Sequence, residues 1–460
     1  MRISGATRRI GQWIGPPLLA LVLYWSGLTA WFQKDDFAWL QLRNLLASGR
    51  SIWWILFEPL AQGTIRTLSE RLYFLSFYEF FGLHALPYHL ALFAIFLIAL
   101  TLLQSVAAKL TGSAAAGFWA AILWVVNAAL ATPLAWVSGM DEVMFAGFFL
   151  LDLWLLLRYL ETGDNRFYAA QCATFVLGFG VIELNVVYPA VALIVVLIRA
   201  PRESWKIAWL FPVSALYAIL HSLAAPLPES GAYRMQFDAQ MIRTLATYLN
   251  WSLGTGWLRV LNLDSFALRA SLATPLMLGL AAFLVRRIRE RQWIALLFPA
   301  IFVIVLAPLL PLRDHMEYEY LTVPVIGLAM LGGWALASAN RLIAIPLAAI
   351  YVAVSIPVGH SLTATLHDRS VRLQKIFYAV DALHRAHPTK MAIFTGASKE
   401  TFDDMIDHHA FALIGIPEAC ISSRDHFGGE FAIDAATEQR AIEERRAVVY
   451  DLHDGVRELR

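Results

Sequence analysis

Leu86-Pro-Tyr-His-Leu-Ala-Leu-Phe-Ala-Ile-Phe-Leu-Ile-Ala-Leu-Thr-Leu-Leu-Gln-Ser-Val-Ala-Ala108 decides the fold class of this chain. It runs 23 residues without an Asp, Glu, Lys or Arg and is closed by Lys109. A hydrocarbon core is crossed by ~20 apolar residues of helix, so the stretch predicts a transmembrane helix. Working outward, comparable runs predict spans at 11–31, 114–133, 140–158, 167–182, 184–199, 207–225, 271–285, 293–311, 320–338 and 342–359. With 86–108 they make about eleven. Hydrophobic residues form 59% of 460, charged residues only 15%, and the mean hydropathy is +0.59. No soluble domain of this size hides that much apolar surface, so the expected class is a mainly α, polytopic membrane helical bundle. The net charge of +1 is dispersed over loops and gives no basic face for nucleic acid.

Lys and Arg fix the expected orientation. Arg2, Arg8 and Arg9, Lys109, Arg158 and Arg166, Arg199, Arg202 and Lys206, the cluster Arg286, Arg287, Arg289 and Arg291, and Arg341 all fall on one side. That side is cytoplasmic by the positive-inside rule. The N-terminus is then cytoplasmic, its apolar run is read as a retained first span, and the chain is a multi-pass protein of the inner (plasma) membrane. Outer segments are expected at about 32–85, 226–270 and 360–460. A transmembrane domain at 1–359 is therefore followed by a soluble extracytoplasmic domain at 360–460. This tail has 12 Lys+Arg against 16 Asp+Glu and most of the histidines. Lys390–Gly396 and Ala447–Leu452 read as strands and Lys399 to Phe411 as a helix, which predicts a small α/β domain. Cys172 and Cys420 are far apart and imply no disulfide framework.

The chemistry is expected outside. Trp31-Phe32-Gln33-Lys34-Asp35-Asp36-Phe37 puts two adjacent carboxylates directly after the first span, where one of them would serve as a general base for an acceptor hydroxyl. A neighbouring carboxylate would raise its pKa or help hold a divalent cation; the same pair also suits a merely solvated span end. Phe37–Ser48 and Ile52–Leu60 suit helices lying in the interface, with Trp39, Trp53 and Trp54 at headgroup depth. Arg66 and Arg71 present guanidinium forks that suit a phosphate, or an ion pair with Glu70. Asp141 and Glu142 open the fourth span, and Glu183 lies in an outer turn. The last outer turn, Leu312-Arg-Asp-His-Met-Glu-Tyr-Glu-Tyr320, offers Arg313 and His315, with Tyr318 and Tyr320 as interface anchors. The 226–270 loop, with Tyr233, Trp251 and Trp257, is expected to cover the site.

The order of these features resembles the GT-C class of integral membrane glycosyltransferases that use polyprenyl-phosphate sugars, in particular the protein O-mannosyltransferase-like branch. The resemblance runs from about 31 to 338. It rests on Asp35-Asp36-Phe37, on Arg66-Thr-Leu-Ser69, Phe81-Gly-Leu83 and Tyr88-His89, and on Trp136-Val-Ser-Gly139 followed by Asp141. Val181-Ile-Glu183 with Tyr188-Pro189 and Tyr318-Glu-Tyr-Leu-Thr-Val-Pro324 with Gly327 continue it. Thr67 stands where the related sequences carry Pro, and the turn at Glu183 lacks their Lys. The resemblance implies that Asp36 or Asp35 deprotonates an acceptor hydroxyl on a glycan, lipid or protein. A polyprenyl-phosphate-linked sugar would be held through its phosphate by Arg66, Arg71, Arg313 and His315. Asp141, Glu142, Glu183, His89 and Tyr320 would support the site. Two alternatives stay open: a lipid or sugar transporter or flippase, which predicts charges at mid-span depth or paired halves, and an inactive relative with a scaffolding role in the envelope.

Overall fold

The computed structural model describes residues 5–60, 63–226, 229–263, 265–425, 428–453 and 455–459, and the side chains from residue 11. Helices dominate. Five are long and apolar enough to cross a membrane: Ala85–Thr111, Val137–Thr162, Pro201–Ala224, Phe266–Arg289 and Arg341–His384. A sixth is the pair Ala114–Val125 and Ala128–Ala135, bent by 57°. The other expected spans are shorter helices, among them Gly11–Leu23, Asn165–Gly178, Tyr188–Arg199 and Pro324–Ser338. Eleven full-length spans are therefore not seen. The physical reason is visible between 178 and 188, where a 3₁₀ turn, Glu183–Val187, takes residues that hydropathy alone assigns to helix.

The bend in the broken pair is held by Asn127. Its side-chain oxygen accepts from the Ala129 N–H at 3.0 Å, while its amide donates to the Ser252 carbonyl at 2.8 Å and the Tyr351 hydroxyl at 2.7 Å. Small residues let helices meet at backbone distance, the device that packs helices in lipid. A Cβ added at Gly117 would lie 2.2 Å from the Gln104 carbonyl oxygen, and one at Gly333 2.4 Å from the Ala120 nitrogen. Asp152, within the Val137–Thr162 helix, is wholly buried and accepts from the Thr174 hydroxyl on the neighbouring helix.

The boundary expected at 359/360 falls inside a single 44-residue helix, Arg341–His384. At 1.5 Å per residue it is about 66 Å long, twice what a bilayer core needs, so it carries the chain well clear of the membrane. A four-stranded sheet follows: β1 (Met391–Thr395), β2 (Ala419–Ile421), β3 (Ala447–Asp451) and β4 (Arg457–Leu459), in the order β2-β1-β3-β4. β1 pairs in parallel with β2 and β3, Ile393 facing Cys420 and Val449, and β4 runs antiparallel to β3. Lys399–Thr401 is one short turn, continued by a π-helical Phe402–Ile406 and a 3₁₀ Ala410–Ile414 in place of the continuous helix expected from Lys399 to Phe411. Cys172 and Cys420 are both free thiols.

The sheet does not hang free of the bundle. Phe37, Phe377 and Phe411 stack nearly parallel, with centroids 6.4 and 6.2 Å apart, and Phe394 of β1 continues the stack at 4.7 Å. One aromatic column therefore joins the first outer loop, the long helix, the 3₁₀ turn and the sheet.

Candidate active site

The first outer loop opens with three short helices, Asp36–Leu40, Leu42–Ala47 and Ile52–Phe57, and continues with the π-helical Thr67–Leu72 and the helix Tyr73–Phe81. Trp53 is exposed and stacked on Phe57. Trp39 is buried, contrary to the headgroup position expected for it, because the Arg71 guanidinium lies over its ring at 4.7 Å.

Asp35 and Asp36 have opposite surroundings. Asp36 is 0% exposed. Its Oδ1 accepts from the Ser138 N–H at 2.7 Å and the Ser138 hydroxyl at 2.6 Å, and its Oδ2 from the Gln33 N–H at 3.0 Å. It pins the first outer loop to the Val137–Gly139 turn. Burial pushes its carboxyl up to about 7, against the pull of those hydrogen bonds. Asp35 is 48% exposed, and its Oδ1 meets His408 Nε2 at 2.8 Å. Lys34, before it, holds a left-handed backbone (φ 52°), uncommon for a side chain of its kind. Its ammonium lies 5.4 Å from the Trp136 ring centroid and makes no ion pair within 4 Å among the described residues.

Of the four cations expected to hold a phosphate, Arg66 and Arg313 are ion-paired elsewhere. Arg66 is enclosed by carboxylates: its Nε donates to Glu183 at 3.0 Å, and its Nη1 reaches Glu70 at 3.1 Å and also Asp141. Burial raises the Glu183 carboxyl, but Arg66 beside it outweighs that and holds it below the usual range. Arg71 is wholly buried, its Nη2 donating to the Thr64 carbonyl at 2.7 Å, while its Nε and Nη1 meet no hydrogen-bond partner among the described residues. Arg313 sits on the rim, paired with Asp238 at 2.7 Å. His315 alone faces the acid loop. It is half-buried against Tyr233, ring centroids 4.1 Å apart, with Asp35, Lys34 and Glu317 as its charged neighbours. Burial lowers its imidazole pKa. Tyr233 thus brings the 226–270 loop to this group.

The expected supporting residues divide similarly. Asp141 and Glu183 belong to the Arg66 cluster, and Glu142 is buried beside them. Tyr320 lies within electrostatic range of Arg66 and Glu142. His89 is wholly buried in the Ala85–Thr111 helix, away from any surface a substrate reaches. Two residues of the group were not singled out from sequence. Lys34 was signalled only by adjacency to Asp35. His408 lies 373 positions from its partner, and only the abundance of histidine in the tail hinted at it. Glu319 joins them: burial, then the neighbouring Glu317, pushes its carboxyl up to about 7. Among the described residues no group of three or more His, Cys, Asp or Glu side chains converges to hold a metal ion.

No family model matches the chain, and no curated protein matches it in sequence. Solved structures do. ArnT from Cupriavidus metallidurans bound to undecaprenyl phosphate superposes with a TM-score of 0.53 at 14% identity, over 97% of this chain and 90% of that one. The same enzyme in the apo state gives 0.52, over 97% and 93%. The oligosaccharyltransferase of Archaeoglobus fulgidus, in complex with zinc and sulfate, gives 0.53 at 9% identity, over 96% of this chain and 67% of that one. The superposition runs through the bundle and the outer sheet alike, and this chain therefore has the fold of the GT-C class of integral membrane glycosyltransferases.

Proposed function

We propose that this chain transfers a sugar, a hexose or pentose, from a polyprenyl-phosphate donor to an acceptor hydroxyl at the extracytoplasmic face of the inner membrane. The bundle would cross the bilayer with its N-terminus inside and residues 360–460 outside. The observation that carries the reading is the group Lys34, Asp35 and His315. A half-exposed carboxylate lies beside a cation without an ion pair and a histidine, at the outer edge of a GT-C bundle. Asp35, not the saturated Asp36, is the base in this reading. The acceptor O–H gives its proton to the Asp35 carboxylate, and its oxygen bonds to the anomeric carbon. The bond from that carbon to the phosphate oxygen breaks, and the electron pair leaves with polyprenyl phosphate. Lys34 and His315 face the developing charge, where a preorganised donor is worth most. Arg66 acts on the site only by fixing Asp141 and Glu183. The apolar bundle suits a donor whose tail stays in lipid.

Lipid mass spectrometry on a deletion strain carrying wild type or Asp35→Asn tests this. A polyprenyl-phosphate sugar that builds up only with the variant supports transfer through Asp35 and identifies the donor. Identical lipid pools with both chains would overturn it.

A further inference from the structure

The segment 402–411 of the outer domain touches the acid loop, and the long helix braces both. The Lys34 N–H donates to the Asp404 carbonyl at 3.2 Å. The Gln41 amide donates to the His408 and His409 carbonyls, both at 3.1 Å. Arg369 of the long helix grips the nearly inaccessible Asp404 carboxylate through both guanidinium edges. The next residue of that helix, Ser370, accepts from the Trp31 N–H through its hydroxyl at 2.9 Å. Both sides of the contact carry a left-handed residue that is not glycine, Lys34 and His409, each with φ 52°. Such conformations cost of order 1–3 kcal/mol and persist where the surroundings over-determine them.

His408 stands at the centre, and its two ring contacts fix its chemistry. Nδ1 lies 2.8 Å from the Asp403 carbonyl oxygen. A carbonyl only accepts, so Nδ1 carries a hydrogen. Nε2 then faces Asp35 Oδ1 at 2.8 Å, a separation that requires a proton between them. That proton makes the pair an imidazolium donating to a carboxylate through Asp35 Oδ1.

We propose that the outer sheet domain is a working part of the active site, with His408 as the positioning residue that orients Asp35. This rests on Asp35 being the base, as proposed above. Without His408 the carboxylate is free to rotate, and its oxygen loses its fixed line to an incoming hydroxyl. The charged groups around the pair are Lys34 on the acid loop, Asp403, Asp404, Asp407 and His409 on the segment itself, Arg369 on the long helix, and His315 and Glu317 on the last outer turn. Burial works against the imidazolium, but Asp35 and then Asp407 outweigh it and hold its pKa above the usual value. With a raised pKa the contact is complete at low pH and is lost as pH rises through it.

Two measurements on the full chain test the assignment. The first needs no substrate: the chain with ¹³C-labelled histidine is titrated by NMR in phosphatidylglycerol–phosphatidylethanolamine nanodiscs. Asp35→Asn is expected to lower the His408 midpoint and to leave His367 where it was. An unmoved His408 midpoint overturns the pair. The second compares donor accumulation in a deletion strain grown at pH 6 and pH 8, the outer face following the medium. His408→Ala is expected to slow turnover about 10- to 100-fold, the scale of a misplaced catalytic group. His408→Gln, whose amide still donates to Asp35, is expected to recover most of it and to lose the decline between pH 6 and pH 8. If Asp35→Asn accumulates donor while His408→Ala matches wild type at both pH values, the assignment of His408 falls and the base stands. If Asp35→Asn accumulates nothing, both fall.

Discussion

Two charged clusters lie within the same outer layer, built from the same residue types, and they are opposites. Around Arg66, a single guanidinium is divided among Glu70, Asp141 and Glu183, and little of it is left to face solvent. Around Asp35, each charge is partnered on one side only. The carboxylate meets His408 through one oxygen, Lys34 rests over an indole, and His315 leans on Tyr233. A saturated cluster fixes the chain and has nothing left for a ligand; a half-partnered cluster is held in place yet still able to exchange a proton or bind an anion. Arginines near phosphate chemistry are easily read as phosphate ligands, and here the geometry gives the more prominent one to the scaffold.

The sharpest way to break this contrast is Asp35→Asn. Transfer is expected to fall about 10²- to 10⁴-fold, the usual share of a general base, with the melting temperature of the purified chain unchanged. A matching loss of melting temperature would make Asp35 scaffold as well. Arg66→Met should do the reverse. It leaves three carboxylates around an apolar side chain, and removing one partner of a buried ion pair costs about 3–5 kcal/mol, somewhat less here because Arg66 is partly exposed. Thermal unfolding in detergent reads this directly, and retained melting would show the cluster to be ornamental.

Asp36→Asn sharpens the boundary between the two classes. An amide cannot accept on both ends, so an N–H of Ser138 or Gln33 loses its partner at a cost of about 1–3 kcal/mol. The same variant has a pH signature. The folded carboxyl titrates at about 7, above ~3.9 in the unfolded chain. The folded state therefore holds a proton that the unfolded state has released, and stability falls as pH rises from about 4 to 7. Melting curves at pH 5 and pH 8 should show that slope in wild type and not in the variant. Smallest of all, Arg313→Ala removes a rim pair with Asp238 that is well exposed on both sides. Its cost should be under about 1 kcal/mol, with transfer unaffected; a large loss of transfer would return Arg313 to the donor site.

How much of this could be read from sequence follows from distance along the chain. The acid pair, its place after the first apolar run and the lengths of the apolar runs are local signals, and they led to the right fold. The partners of Arg66 lie up to 117 positions away, and His408 lies 373 from Asp35, so no spacing or periodicity encodes those contacts. The expected boundary at 359/360 went astray for a different reason. Hydropathy falls where the long helix leaves the bilayer, but the helix itself does not end there: Arg369, Ser370 and Phe377 continue it with one face turned to the acid loop. The asymmetry between Asp35 and Asp36 was equally invisible, since neighbours on a turn point in different directions.

The separation of Asp35 from His408 also bears on how the protein is made. A chain inserted into a membrane as it is synthesised lays down its first outer loop early and the 402–411 segment near the end. Closing a contact across so long a stretch is paid for only when the intervening helices are already packed. The acid loop must therefore wait, its strained Lys34 without the carbonyl of Asp404 to accept from it, until residues 402–411 have followed. A chain interrupted before residue 402 would keep every residue of the Arg66 cluster, yet leave Asp35 without His408.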